Sequence, residues 1–254
     1  MSSSHPTLRL AIGAIAALSL VGAACGDDET TSTTAPVTQP DVTDPSSTEP
    51  SVTEPMATDP ASTTPLTEPM NLFEGELVGL FAIAAGQCVD GTVTGSWFQM
   101  VQPGGTADAG PYVPNGDSAC ADTNYSLLSP GMAAGLRSGE LQVAPDPAFD
   151  ESGNGLAADI FAPVPFFGVA FAGAMDAGGP TPAVTAADGE LNADLTAFTA
   201  YYGGGTFNQG AVATGTIDPM TGEYVLEWTS LISGGSFDGF TGVWHLEGVF
   251  TPAG

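Results

Sequence analysis

The chain is 254 residues long and carries 29 acidic against two basic side chains, a formal net charge of −27 at neutral pH. Nucleic-acid binding and electrostatic attachment to anionic lipid both require Lys and Arg, so this composition excludes both. What it favours is self-repulsion, solubility, adaptation to salt and attraction for cations.

The first segment, Met1 to Arg9, is short and takes its positive charge from the amino terminus and Arg9. An apolar run of Ala, Leu, Ile, Gly and Val follows, from Leu10 to Ala24. It is about 15 residues long, whereas a spanning helix needs about 20. A chain built this way is anchored or released rather than threaded through a membrane.

The run closes on Leu20-Val21-Gly22-Ala23-Ala24-Cys25, followed by Gly26-Asp27-Asp28-Glu29. This stretch resembles the lipobox of bacterial lipoproteins, of the kind found in actinobacteria. Small Ala23 and Ala24 match the positions before the cut, and Gly22 stands where a larger aliphatic residue is usual. The resemblance implies a signal peptide over residues 1–24. It also implies that Cys25 becomes the new amino terminus, lipidated on its sulfur and seated in the outer face of the cell membrane. Cleavage by ordinary signal peptidase at an Ala-x-Ala-like site is the alternative. After such a cut the chain keeps one basic side chain, Arg137, and no Lys.

Residues 25–70 read as a linker. Pro40, Pro45, Pro50, Pro55, Pro60 and Pro65 recur every five residues among Thr, Ser, Asp and Glu, with no aromatic residue. Such a segment cannot offset its ordering entropy by burial, so a disordered stalk is expected. Regular proline and like charge favour extended polyproline-II conformations, with a reach on the order of 140 Å at about 3.1 Å per residue. That reach suits a stalk crossing a cell wall. The Thr-Pro content also resembles O-glycosylated stalks.

From Asn71 the texture changes to frequent glycine, aromatic residues and apolar–polar alternation. Residues 71–254 are expected to form one all-β domain, an antiparallel β-sandwich or small barrel of about eight to ten strands. Leu77 to Ile83 reads as a first strand, and Thr92 to Val101 as a second, ended by a turn at Pro103-Gly104-Gly105. Thr106 to Asn124 is a long loop. Glu140–Ala144, Leu156–Ala162 and Phe166–Ala172 are short strand candidates.

Asp188-Gly189 is a tight turn into Leu191–Tyr202. That segment fits helical spacing at Leu191, Leu195, Phe198 and Tyr202, and strand alternation at Leu195, Ala197, Thr199 and Tyr201. Its Thr, Phe and Tyr content favours strand. The clearest pattern is the hairpin Ala211–Ile217 and Glu223–Thr229 around Asp218-Pro219-Met220-Thr221-Gly222, followed by Phe240–Phe250. Tyr224, Leu226 and Trp228 share one face with Glu223, Val225 and Glu227 opposite. Trp244, Leu246 and Phe250 likewise oppose His245, Glu247 and Val249. The sequence Asp-Pro-x-Thr-Gly-x-Tyr-x-Leu-x-Trp, followed by Gly-Phe-x-Gly-x-Trp-x-Leu-x-Gly, is similar to exported β-domains of bacterial surface proteins, which have no assigned activity.

There are three cysteines. With Cys25 taken by lipid, as the lipobox resemblance implies, Cys88 and Cys120 remain as a pair. In an oxidising compartment they are expected to form a disulfide that stabilises the fold by roughly 3–4 kcal/mol. A two-thiolate metal site lacks partner ligands nearby.

Three constellations touch on chemistry. Asp150-Glu151-Ser152-Gly153-Asn154-Gly155 places oxygen side chains at alternate positions with a glycine at the bend, like the first half of a calcium loop. Its twelfth position is Phe161 rather than Glu, so the candidate calcium ligands are Asp150, Ser152, Asn154 and Asp159. The competing reading is a polar β-turn. Gly116-Asp117-Ser118-Ala119-Cys120 is similar to a hydrolase nucleophile turn, but the base would have to be His245, the only histidine after the signal. Glu223, Glu227, Asp238 and Glu247 offer carboxylate pairs for glycoside hydrolysis, or a metal site with His245. Trp97, Trp228, Trp244, Phe98 and Phe250 read as core.

Together these residues point to a lipid-anchored envelope protein whose β-domain binds or displays, with the membrane and a cell-wall or extracellular ligand as partners. A calcium-dependent adhesion module and an extracytoplasmic polymer hydrolase are the alternatives.

Overall fold

A computed structural model of the chain describes residues 72–254, and the expected signal segment, Cys25 and the expected linker lie outside them. The described residues are all-β, and the one helical element among them is a 3-10 turn. The fold opens with β1 (Gly75–Glu76) and β2 (Gly79–Ile83). A small hairpin, β3 (Gln87–Val89) and β4 (Thr92–Thr94), leads into the long β5 (Trp97–Thr106). The short strands β6 (Gly110–Tyr112), β7 (Ser126–Leu127) and β8 (Gly135–Ser138) follow. Three hairpins come next: β9 (Val164–Phe166) with β10 (Val169–Met175), β11 (Ala183–Ala187) with β12 (Glu190–Asp194), and β13 (Phe198–Tyr202) with β14 (Gly205–Asn208). The chain closes through β15 (Val212–Ile217), β16 (Glu223–Leu231), the 3-10 turn Gly235–Phe237 and β17 (Thr241–Pro252).

The large sheet runs β1-β11-β12-β15-β16-β17-β2-β8, with β5 also on β17 and β6 and β7 on β5. It curls into a half-barrel. The second sheet runs β14-β13-β10-β9. Pairing between named strands is antiparallel throughout.

β17 is the hub. Along one edge it follows β16 from Thr241 to Val249. Its other edge forks: Thr241–His245 pair with β5, and Gly248–Pro252 pair with β2. The fork brings backbones so close that a Cβ at Gly248 would stand 1.8 Å from the Ala82 carbonyl oxygen, so this position requires glycine.

The alternation expected for the C-terminal strands holds. Tyr224, Leu226, Trp228, Trp244, Leu246 and Phe250 are buried. Each such side chain contributes about 1.5–3 kcal/mol through the apolar surface it removes from water. The core lies between the two sheets. Phe198 from the small sheet meets Trp228 and Trp244 edge-on at 5.4 and 4.9 Å, and the two indoles stack at 5.7 Å.

Several local expectations change. The strand expected over Thr92–Val101 breaks at Gly95-Ser96. β5 instead continues through Pro103-Gly104-Gly105 with a register shift, and the chain turns at residues 107–109. A bulge absorbs the proline and glycines there, so they do not end the strand. Glu140–Ala144 and Leu156–Ala162 form only isolated bridges. Phe166–Ala172 is a hairpin rather than one strand, because Phe167 and Gly168 take φ of 50° and 78°. Leu191–Tyr202 is extended, as its composition favoured, but it supplies β12 to one sheet and β13 to the other. The strand count reaches seventeen because many segments are only two to five residues long.

Candidate functional site

At one end of the sandwich the sheets part into a crevice lined by Phe166, Tyr202, Phe207, Phe237, Ile232 and Trp244, with a cavity volume of ≈ 40 Å³. Phe166 comes from β9, Tyr202 from β13, Phe207 from β14, Phe237 from the 3-10 turn and Trp244 from β17. Phe166 meets Tyr202 and Phe237 edge-on at 5.9 Å in both cases. The walls present carbon to the opening.

Polar atoms around the crevice are paired with one exception. Trp228 Nε1 donates to the Gln209 carbonyl at 2.9 Å, and the Ser230 hydroxyl donates to Gln209 Oε1 at 2.8 Å. Trp244 Nε1 is the one buried side-chain donor or acceptor among the described residues without a partner. A buried unpaired N–H costs about 1–3 kcal/mol, so such a group in a folded domain calls for an explanation.

The rim is also unusual. Phe167 and Gly168 form the two-residue turn of the β9–β10 hairpin, both at positive φ. Turns of this kind take Asn, Asp or Gly at the first position. The hairpin β11–β12 does so with Asp188-Gly189, at φ of 53° and 80°. Placing a side chain in the left-handed region costs roughly 1–2 kcal/mol. Phe167 is nevertheless 51% exposed, and its ring stacks on Phe237 at 6.3 Å.

Two carboxylates bind the backbone of the turns next to Phe167 and Phe237. Asp117 Oδ2 accepts the Gly168 N–H at 2.6 Å, and Asp238 Oδ1 accepts the Gly234 N–H at 2.6 Å beside Phe237. Burial pushes the Tyr202 phenol above its usual pKa, and the Asp117 carboxylate adds to that rise.

The outer face of the large sheet holds a second cluster. Register places Glu227, His245 and Trp97 in one row across β16, β17 and β5. His245 Nδ1 lies 2.8 Å from Glu227 Oε1, and its Nε2 lies 3.1 Å from Glu247 Oε2. Glu247 Oε1 also accepts the Gly95 N–H at 2.7 Å. Trp97 stacks flat on the imidazole, with centroids 4.8 Å apart, and meets Tyr125 edge-on. The cluster ties three strands together, with both ring nitrogens engaged by carboxylates within it.

The expected disulfide is present. Cys88 on β3 and Cys120 are bonded with Cα atoms 5.4 Å apart, which fixes the loop bearing Asp117. The Ser118 hydroxyl donates to the Tyr125 carbonyl at 2.5 Å and accepts the Cys120 N–H, so it is held within its own turn.

Among the candidate calcium ligands, Asp150 Oδ1 accepts the N–H groups of Ser152 and Asn154 at 2.8 and 2.9 Å, and its Oδ2 accepts Asn154 Nδ2 at 2.7 Å. These bonds, led by the Asn154 side chain, hold its carboxyl below the usual aspartate range. Asn154 Oδ1 accepts the Ala170 N–H at 2.7 Å, stitching the turn to β10. Asp159 lines a separate hollow with Met132 and Gln142. Among the described residues no three His, Cys, Asp or Glu side chains gather as metal donors. These contacts are those of a polar turn, and they add no support to a calcium site.

Sequence reasoning placed Trp97 in the core, and the structure moves it to the outer face, half-buried. Adjacent residues of a strand face opposite ways, so Trp97 and Phe98 could not both point inward. The crevice itself was missed, because its rings come from β9, β13, β14, β17 and the 3-10 turn, far apart in the chain. Comparison with protein-family models, with curated proteins and with solved structures finds no match to this chain.

Proposed function

We propose that this chain is a lipid-anchored protein of a bacterial cell envelope whose β-domain binds a ligand on a stalk, rather than transforming a substrate. The supporting observation is the Cys88–Cys120 disulfide. With these two joined, Cys25 is the remaining cysteine of the sequence, and it stands at the end of the apolar run Leu10–Ala24. A disulfide is the mark of an oxidising compartment, in keeping with export. The aromatic crevice supports the binding half of the proposal. It is apolar and bordered by a few polar groups, as ligand pockets usually are.

The test is the full-length chain expressed in an actinobacterial host. Wild-type protein is expected in the membrane fraction with a diacylglyceryl mass on Cys25, and Cys25→Ser in the soluble fraction. Unchanged fractionation of the variant, together with no lipid mass on the wild type, would overturn the anchor.

A further inference from the structure

We propose that the hollow beside β10, lined by Met132, Val143, Leu156 and Asp159, binds a small ligand built as an unbranched hydrocarbon chain ending in a primary ammonium. The site is separate from the aromatic crevice and from the anchor at Cys25, so it goes beyond both.

Three stretches of chain build the hollow. The turn at 131–134 precedes β8, and its Met132 and Ala133 N–H groups donate to the Ala158 and Asp159 carbonyls at 2.7 and 3.0 Å. The segment after β8 brings Val143, and the neighbouring Gln142 carbonyl accepts the Met175 N–H at 2.8 Å. β10 supplies Gly173 and Ala174. The buried side chains beneath are short, because Ala157, Ala172 and Ala174 form a small apolar cluster of their own. They leave depth, and the hollow measures ≈ 300 Å³. That is the scale of a small-ligand pocket, with room for about ten water-sized groups.

The lining narrows the ligand. Met132 is 81% exposed, with Val143 and Leu156 exposed beside it. Apolar side chains exposed singly mean little, but three around one hollow form a surface that gains by losing water. Methionine is also flexible enough to fold over what it covers. The polar side chain of Gln142 is spent within the fold: its Nε2 donates to the Gly135 carbonyl at 2.9 Å, and its Oε1 accepts the Arg137 N–H at 2.7 Å. Asp159 is the one charged residue in the lining. Ion pairs among the described residues are made by His245 alone, so no cation of the chain neutralises it.

An apolar hollow with one carboxylate complements a hydrocarbon chain with one positive end, as a lysine buries its stem and keeps its head at a polar edge. An anion would meet Asp159 and a chain at a net −27. No aromatic ring lines the hollow, so ring faces do not hold the cation. It is held by donating hydrogen bonds to the carboxylate, which a primary ammonium does and a quaternary one does not. The sequence has no Lys, so a side chain of a second copy cannot supply the group.

The experiment titrates the full-length chain in phosphatidylcholine nanodiscs, with empty nanodiscs as the blank, and follows heat. The probes are n-pentylammonium chloride, pentan-1-ol and N,N,N-trimethylpentylammonium chloride. Pentylammonium is expected to bind at least about tenfold more tightly than either of the others. Asp159→Asn is expected to bring pentylammonium down to the affinity of the alcohol and to flatten its salt dependence. Affinity for the alcohol and the melting temperature should hold in that variant. Met132→Ala, at an exposed position, should keep the melting temperature and weaken pentylammonium and pentan-1-ol alike, by several-fold.

Equal affinity of the wild type for pentylammonium and pentan-1-ol overturns the charge assignment. Equal affinity for the trimethyl form overturns the hydrogen-bonded primary ammonium. Binding of none of the three, at concentrations on the order of 10 mM, overturns the hollow as a ligand site. The fractionation of Cys25→Ser is read independently of all three results.

Discussion

On the outer face of the large sheet, His245, Glu227 and Glu247 satisfy one another under Trp97. At the aromatic end, Trp244 Nε1 has no partner and Phe167 holds a strained, half-exposed position. The first region has the residue types of a catalytic or metal site, yet its hydrogen bonds are complete. The second has almost no chemistry-bearing side chains, yet it carries the costs that folding does not account for. Residue type alone would have pointed to the first, and the state of each polar atom points to the second.

The two tryptophans of these regions separate them most sharply. Trp244→Ala is expected to destabilise the domain by about 3–5 kcal/mol, because it opens a hole between the sheets. Trp97→Ala, on the half-buried outer face, should cost on the order of 1 kcal/mol. Denaturant midpoints measure both, and equal losses would break the contrast.

The disulfide holds the loop that brings Asp117 to the Gly168 N–H. Cys88→Ala with Cys120→Ala opens a link of sequence separation 32. It is expected to cost roughly 2–4 kcal/mol in chemical denaturation. The outer cluster should be insensitive to this change, because none of its hydrogen bonds passes through that loop.

Tyr224 lies on the inner face of β16, beneath the acid–histidine cluster. Its hydroxyl donates to the Ala82 carbonyl at 3.2 Å. Burial, with a smaller effect from Glu247, raises its phenol well above the ordinary tyrosine value. Its folded-state pKa is the higher one, so its contribution to stability is complete below the unfolded value, near pH 10. That contribution falls as pH rises above it, by up to about 1.4 kcal/mol per pH unit. Tyr224→Phe should lose about 1 kcal/mol at neutral pH and show a shallower decline in melting temperature at alkaline pH. An unchanged alkaline slope would contradict this assignment.

The smallest effect is expected at Glu227, whose side chain is 60% exposed. Glu227→Gln should change stability by less than about 1 kcal/mol, and less still in high salt. A loss of several kcal/mol would mean the outer cluster does more than tie strands together.

The faces of β16 and β17 were legible in the sequence because alternation has a period of two and the strands are long. The Cys88–Cys120 pair was legible from the odd cysteine count once the lipobox resemblance was taken into account. The hairpin at Phe167-Gly168 was not, because Phe is a strand former and its left-handed backbone is imposed by the turn. The strand at Pro103-Gly104-Gly105 was hidden by residues that usually break one. The crevice was illegible for a different reason. Its rings are gathered by two sheets crossing over each other, and no local pattern records which aromatic residues will share an end of a sandwich.

The most direct measurement compares the indole N–H signals of the three tryptophans of the full-length chain by NMR. Trp228 Nε1 is bonded to Gln209, Trp244 Nε1 is free, and Trp97 reports on the outer face. The Trp244 signal is expected upfield of the Trp228 signal, as for an indole N–H without an acceptor. A Trp244 signal at or downfield of the Trp228 position would show its N–H bonded and contradict the contrast between the two regions.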